Sequence, residues 1–185
     1  MIPEDRRIIA VFGSSQSRPG DDEYALGLSC GRLLAHTGCV VATGGYGGQM
    51  EAVSRGAADA GGSTIGITAP AVFPSRTGAN QWVHRELPAA GLVQRIAQLT
   101  DVASGYIALP GSIGTLAELV VAWNLAFVAP FSGKTAPPIA TVGDTWQTLV
   151  PLLGERLDSD ASLIAMCATV DEAVAHVTAS LQAER

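Results

Sequence analysis

The chain has 185 residues, 48% of them hydrophobic, a formal charge of −6 and a mean hydropathy of +0.29. Those values describe a globular chain with apolar mass for one sizeable core and exclude a disordered one. An acidic chain with no basic stripe is a poor nucleic-acid binder, no apolar run approaches the roughly 18–20 residues of a membrane span, and the N-terminus lacks the basic-then-apolar order of a signal peptide.

In chain order, residues 1–6 read as a loose lead-in and Arg7 to Phe12 as a first strand, apolar enough to be buried on both faces. Gly13-Ser14-Ser15 opens a polar turn. Asp21, Asp22 and Glu23 then start a helix that runs to about Thr37 and stops at Gly38. Cys39 to Thr43 is a second buried strand, followed by the turn Gly44-Gly45-Tyr46-Gly47-Gly48. A helix from Gln49 to about Gly61 turns Met50, Val53 and Ala57 inward and a Glu51–Arg55 pair outward. Ser63 to Ile67 is a third strand. Thr68 to Pro88 has no clear period and carries several prolines, so it is expected to be a long, functional loop.

Leu92 to about Asp101 is a helix, and Tyr106 to Leu109 a short apolar strand broken by Pro110 and Gly111. Ser112, Ile113, Gly114 and Thr115 lead into a helix with an apolar stripe of Leu116, Leu119, Val120, Trp123 and Phe127. After a loop over 129–136 come a strand at Pro138 to Val142, a helix capped by Asp144, a short edge strand at Leu163 to Cys167, and a terminal helix from Asp171 to Gln182. Alternating strands and helices predict one α/β domain over 1–185, a doubly wound, Rossmann-like parallel sheet with helices on both faces. Such sheets bind ligands beyond the carboxyl ends of their strands, where the three small-residue turns lie.

The turn at Pro110 to Thr115 is the most informative. A strand, a glycine-rich turn and a helix start present unpaired N–H groups and the positive end of a helix dipole, a ready site for a phosphate. Glu118 stands one turn inside. Thr115 to Glu118 also fits a capping box, in which the glutamate reaches back to the cap N–H. Arg95 lies within an otherwise apolar helical stripe; either its stem packs while its head reaches solvent, or a carboxylate meets the head, with Glu118 the obvious partner.

Several motifs fail. No turn reads G-x-G-x-x-G, Gly133-Lys134-Thr135 lacks the upstream glycine of a P-loop, and Pro110 stands where G-x-S-x-G needs its first glycine. His36, His84 and His176 show no metal-ligand spacing, so no metal and no cofactor is expected. Cys30, Cys39 and Cys167 read as reduced core thiols of a cytoplasmic protein.

Together the turns form a recognisable pattern. Gly44-Gly-Tyr-Gly-Gly-Gln-Met50-Glu-Ala-Val resembles the GGG…GLMGAV segment of the LOG (LONELY GUY) family, and Pro110-Gly-Ser-Ile-Gly-Thr-Leu-Ala-Glu118 its P-G-G-x-G-T-x-x-E motif. Gly13-Ser14-Ser15 is similar to its opening G-S-S turn, and Arg95 falls where that family has the arginine of M-H-E-R-K. The resemblance runs from about Arg7 to Leu153. It implies a homodimer that cleaves the N-glycosidic bond of cytokinin-type or adenine nucleoside 5′-monophosphates to free base and ribose 5-phosphate. The same superfamily includes molybdenum-cofactor carriers, the alternative function; a nucleotide-sensing module is a third. The label "lysine decarboxylase", often given to relatives, does not suit a chain whose single lysine, Lys134, lies in a loop.

On this resemblance Arg95 and Glu118 are the catalytic pair. Gly13, Ser14, Ser15, Gly44, Gly45, Tyr46, Gly47, Gly48, Met50, Pro110, Gly111, Ser112, Ile113, Gly114 and Thr115 bind a nucleotide or another phosphorylated small molecule. Arg95 is expected to hold Glu118 ionised, and removing either side chain to abolish hydrolysis with the fold intact. Three departures stand out. Ser112 replaces a glycine, which strains the turn if φ is positive and adds a hydroxyl donor if it is not. Gly-Leu-Val-Gln precedes Arg95. Ala71 follows Pro70 where active members carry arginine, leaving Arg76 or Arg85 as replacements. The helices holding Trp123 and Phe127, and Leu92 to Leu99, are dimer faces or core.

Overall fold

A computed structural model describes residues 7–183; the lead-in expected at 1–6 lies outside them. Seven parallel strands, β1 (Ile8–Phe12), β2 (Val40–Thr43), β3 (Thr64–Thr68), β4 (Arg85–Pro88), β5 (Gly105–Ala108), β6 (Ile139–Val142) and β7 (Ile164–Cys167), form one sheet in the order β4-β3-β2-β1-β5-β6-β7. The helices are α1 (Asp22–His36), α2 (Gln49–Asp59), α3 (Leu92–Asp101), α4 (Ile113–Val128), α5 (Asp144–Leu157) and α6 (Val170–Ala183). This is the doubly wound, Rossmann-like α/β fold.

Period-two alternation divides the core. Ile9 and Val11 of β1 face α1, α2 and α6, joining Leu34, Val53 and Val177; Ala10 and Phe12 face α3, α4 and α5, joining Leu99, Leu119, Trp123 and Trp146. Strand order reverses at β1. On one side β2 pairs with it in register Ile9↔Val41, on the other β5 in register Val11↔Ile107. The turns after β1, β2 and β5 therefore converge at one place.

Five expectations are corrected. The segment 68–88 is not loop throughout: Arg85-Glu86-Leu87-Pro88 pairs with β3 as an edge strand, whose one open side tolerates charge and proline. Glu51 does not pair with Arg55; it accepts a hydrogen bond from Tyr24 Oη at 2.9 Å, while Arg55 meets Asp59 at 3.5 Å. Gly143, at φ 109°, is the N-cap of α5, and Asp144 sits inside the first turn without capping it. In α4 the buried face is Thr115, Glu118, Leu119, Ala122, Trp123 and Ala126, whereas Val120 and Phe127 of the expected stripe are 42% and 45% exposed. The segment Ile113–Ser132, α4 with the 3-10 turn that follows, is long and apolar enough to cross a membrane by length and composition, contrary to expectation. Here its inner face closes the sheet.

Candidate functional site

The carboxyl ends of β1, β2 and β5 open into a cavity of about 210 Å³. Of the residues the sequence singled out, Gly13, Ser15, Gly44, Met50, Arg95, Ser112, Gly114, Thr115 and Glu118 line it. Glu118 and Arg95 face each other across its floor, 8% and 6% exposed, with Arg95 Nη1 3.5 Å from Glu118 Oε1. The capping-box alternative is not adopted: Ser112 is the N-cap of α4 and no side chain caps it. Ser112 has φ −108°, an ordinary extended value, so it is unstrained.

Arg95 is held from three sides. Its Nε donates to Ile67 O at 2.8 Å, and its Nη2 to Gly44 O at 3.0 Å and to Met50 Sδ at 3.4 Å. A Cβ on Gly44 would fall on this guanidinium, so the glycine of the second turn, expected among the ligand-binding residues, makes room for Arg95. Arg95 is therefore a buried cation fixed by two carbonyls and one carboxylate.

Burial acts on both charges. It pushes the Glu118 carboxyl up from 4.5 to about 7, against the opposing pull of Arg95, and lowers the Arg95 guanidinium from its usual value. The expectation that Arg95 holds Glu118 ionised is corrected: desolvation outweighs the ion pair, and near neutrality the carboxyl is poised between acid and base.

Thr115 Oγ1 is buried in the cavity wall without a hydrogen-bond partner. An unpaired buried hydroxyl costs stability, on the order of 1–3 kcal/mol, unless something bound there satisfies it. It stands at the start of a sixteen-residue helix, where orphan N–H groups also point outward.

The other expected residues serve elsewhere. Ser14 N donates to the buried Gln49 Oε1 at 2.8 Å, Gln49 N donates to Ser14 O at 2.8 Å, and Gln49 Nε2 reaches Glu23 O at 3.1 Å, tying the first turn to α2. Gly48, at φ 72°, backs directly onto Ser14 and Ser15. Gly45 donates to Thr43 Oγ1 at 3.1 Å and lies against Gly66. Pro110 packs on Gly143. Gly111 and Ile113 line a separate shallow pocket beside Trp146, and Ile113 is 79% exposed. Tyr46 and Gly47 line a second cavity of about 380 Å³.

Of the two candidate replacement cations, Arg76 lines both cavities, while Arg85 sits on the exposed edge strand. The Arg76 guanidinium lies 4.7 Å from the centre of the Tyr46 ring and 4.5 Å from that of Phe73. The brace formed by Gln49 and the lining side chains Phe12, Phe73 and Leu92 had no local signature in the sequence. Among the described residues no group of three or more His, Cys, Asp or Glu side chains is placed to hold a metal ion.

Known proteins resemble this chain in sequence or in fold. The cytokinin riboside 5′-monophosphate phosphoribohydrolase LOG of Oryza sativa subsp. japonica is 33% identical over 121 residues, covering 64% of this chain and 49% of that protein. LOG3 of Arabidopsis thaliana, of the same name, is 33% identical over 120 residues, 64% of this chain and 55% of its own length. The chain thus spans about half the length of the curated relatives it matches. In fold it is similar to the molybdenum cofactor binding protein of Rippkaea orientalis, with 22% identity, a TM-score of 0.76, and 97% and 99% of the two chains covered. The molybdenum cofactor carrier protein of Chlamydomonas reinhardtii gives 22% identity, a TM-score of 0.69, and 96% and 99% coverage. The SLOG cluster4 family model matches residues 6–128. That stretch holds all three turns, Arg95 and Glu118, and the chain belongs to the SLOG cluster4 family.

Proposed function

We propose that the chain is a nucleoside 5′-monophosphate phosphoribohydrolase, releasing free base and ribose 5-phosphate from cytokinin-type or adenine nucleotides. The observation that carries this reading is the buried Glu118–Arg95 pair on the floor of a cavity whose wall holds the unsatisfied Thr115 Oγ1. The 5′-phosphate rests on the N–H groups at 112–115 and takes the Thr115 hydroxyl as a donor. The ribose then lies over Glu118. Water adds to C1′ as the C1′–N bond breaks; the hydroxyl stays on the sugar and its proton passes by way of Glu118 to the departing base. Ionised Glu118 also offsets the positive charge that develops on the sugar in the transition state. Arg95 holds that carboxylate in place and steadies its charge after the proton leaves.

A second reading is a non-catalytic carrier of a phosphorylated ligand of the molybdenum-cofactor type. It is favoured by the fold likeness to the molybdenum cofactor binding protein of Rippkaea orientalis and the carrier protein of Chlamydomonas reinhardtii. The same cradle serves either ligand. Incubation with AMP and with isopentenyl-AMP, followed by chromatography for free base, separates the two. Base release supports the hydrolase. Tight binding of a pterin phosphate with no release from either nucleotide supports the carrier.

The outward face of α4, with Val120, Val121, Leu125 and Phe127 all 37% exposed or more, together with the 82%-exposed Phe131, fits a homodimer contact. The three buried free cysteines suit a reducing, cytoplasmic setting.

A further inference from the structure

The cavity containing Glu118 is small. Ligand sites for molecules of nucleotide size occupy about 300–1,000 Å³, and this one offers about 210 Å³. Ser15 and Arg76 belong to its wall and also to the wall of the neighbouring cavity of about 380 Å³, between the second turn and the 75–80 segment. None of residues 110–115 and neither Arg95 nor Glu118 lines that second space. A nucleotide with its phosphate on the 112–115 turn therefore directs its opposite end, the base, toward Arg76.

The second space has a definite chemistry. Its lining includes Ser15, Ser75 and Thr77, and among the described residues Arg76 is the one charged residue in its wall. No carboxylate lies within 4.0 Å of the Arg76 guanidinium among the described residues, although the rings of Tyr46 and Phe73 stand beside it, their centres 4.7 and 4.5 Å away. Glu86, whose carboxylate lies 3.4 Å from where a Cβ on Gly78 would stand, accepts from Thr68 Oγ1 at 2.6 Å and lines neither cavity. Asn80 is spent on the fold, donating to Gly45 O and Tyr46 O, which fixes the floor. A guanidinium placed over aromatic rings and left without a carboxylate is a receptor for one. An apolar chain placed here would bury hydroxyls and a guanidinium without replacing their water.

We infer that the second cavity is a subsite for an acidic substituent on the base, so that this chain prefers a purine nucleoside monophosphate bearing a carboxylate over one bearing an apolar chain. The inference rests on the nucleotide reading of the first cavity. Its test is equilibrium binding of three probes: AMP, AMP carrying a succinyl group on N6, and isopentenyl-AMP. The succinyl derivative is expected to bind the unaltered protein about tenfold or more tightly than AMP, and isopentenyl-AMP no better than AMP. Arg76→Gln should bring the ratio of succinyl-AMP to AMP affinity close to one. Ser75→Glu, which sets a like charge in the same space, should bring it below one. AMP binding without a preference for the succinyl derivative, or with a preference for isopentenyl-AMP, overturns the subsite and leaves the nucleotide reading standing. A preference that survives both variants also overturns it. Failure of all three probes to bind overturns both.

Discussion

Arg95 and Glu118, twenty-three residues apart in sequence, meet at 3.5 Å with each more than nine-tenths buried. One comes from the middle of α3, the other from the second turn of α4, and the carbonyls of Ile67 and Gly44 complete the cation's shell. The pair is asymmetric. The arginine is held by three groups besides the carboxylate, while the carboxylate's one protein partner among the described residues is the arginine.

That asymmetry separates the two deletions. Arg95→Ala removes the donor to two carbonyls and leaves a buried carboxylate without its cation, and breaking a buried pair in this way costs about 3–5 kcal/mol. At roughly 2–4 °C per kcal/mol for a chain of this size, a fall in Tm near 10 °C is expected by calorimetry. Glu118→Gln keeps the shape and a polar group, and should lose base release while shifting Tm far less. Both variants are still expected to fold, with Arg95→Ala the less stable of the two. Equal Tm losses in the two variants would contradict the asymmetry.

The raised Glu118 carboxyl makes stability depend on pH in a defined direction. Its folded value of about 7 lies above the ordinary 4.5, so the folded chain binds this proton more tightly than the unfolded one. Below pH 4.5 both states are protonated and the full contribution is present; it is lost as pH rises through about 7. The loss is on the order of 3 kcal/mol. Denaturant titrations from pH 4 to 8 should show the parent protein losing this much relative to Glu118→Gln. Parallel curves would contradict the shift. In activity, kcat/KM should rise through the same region if the ionised form is the base.

Thr115 offers a test in which stability and binding move apart. Its Oγ1 is buried without a partner, so Thr115→Val, which keeps the shape and removes the hydroxyl, should leave the Tm of the free protein unchanged or higher. The same variant should bind AMP about tenfold more weakly. A lower Tm with unaltered AMP affinity would make Thr115 a structural residue only.

Gly44→Ala places a methyl group on the Arg95 guanidinium. Overpacking of this kind costs about 1–3 kcal/mol. Displacing Arg95 should also remove base release, with far-UV circular dichroism unchanged. Retention of full activity would show that Arg95 can move without consequence.

Much of this site was legible from local sequence. The turns at Gly13, Gly44 and Pro110 lie at strand ends, and the strands are apolar runs because both faces of the central sheet are covered. What stayed hidden depends on neighbours. β4 was missed because an edge strand needs no apolar alternation, and Arg85-Glu86-Leu87-Pro88 has none. The inner face of α4 was misassigned because that helix is apolar on most sides, so spacing alone does not say which side meets the sheet. The brace from Gln49 to Ser14 and the stacking of Arg76 on Tyr46 and Phe73 join positions far apart in the chain and leave no local pattern.

The exposed apolar residues of α4 give a separate test of assembly. If the proposed homodimer forms through this face, Phe127→Asp combined with Leu125→Asp should convert it to a monomer in light scattering. An unchanged mass would place the contact elsewhere, and a parent protein that is already monomeric would overturn the proposed dimer.

The central claim is that a phosphate docks on the turn at 112–115 with the sugar over the Glu118–Arg95 pair. A crystal structure of the Glu118→Gln variant soaked in a nucleoside 5′-monophosphate tests it most directly. The account predicts the phosphate within hydrogen-bonding distance of the Gly114 and Thr115 amides and of Thr115 Oγ1, with C1′ above residue 118. A phosphate bound at another turn, or a sugar turned away from residues 95 and 118, would contradict it.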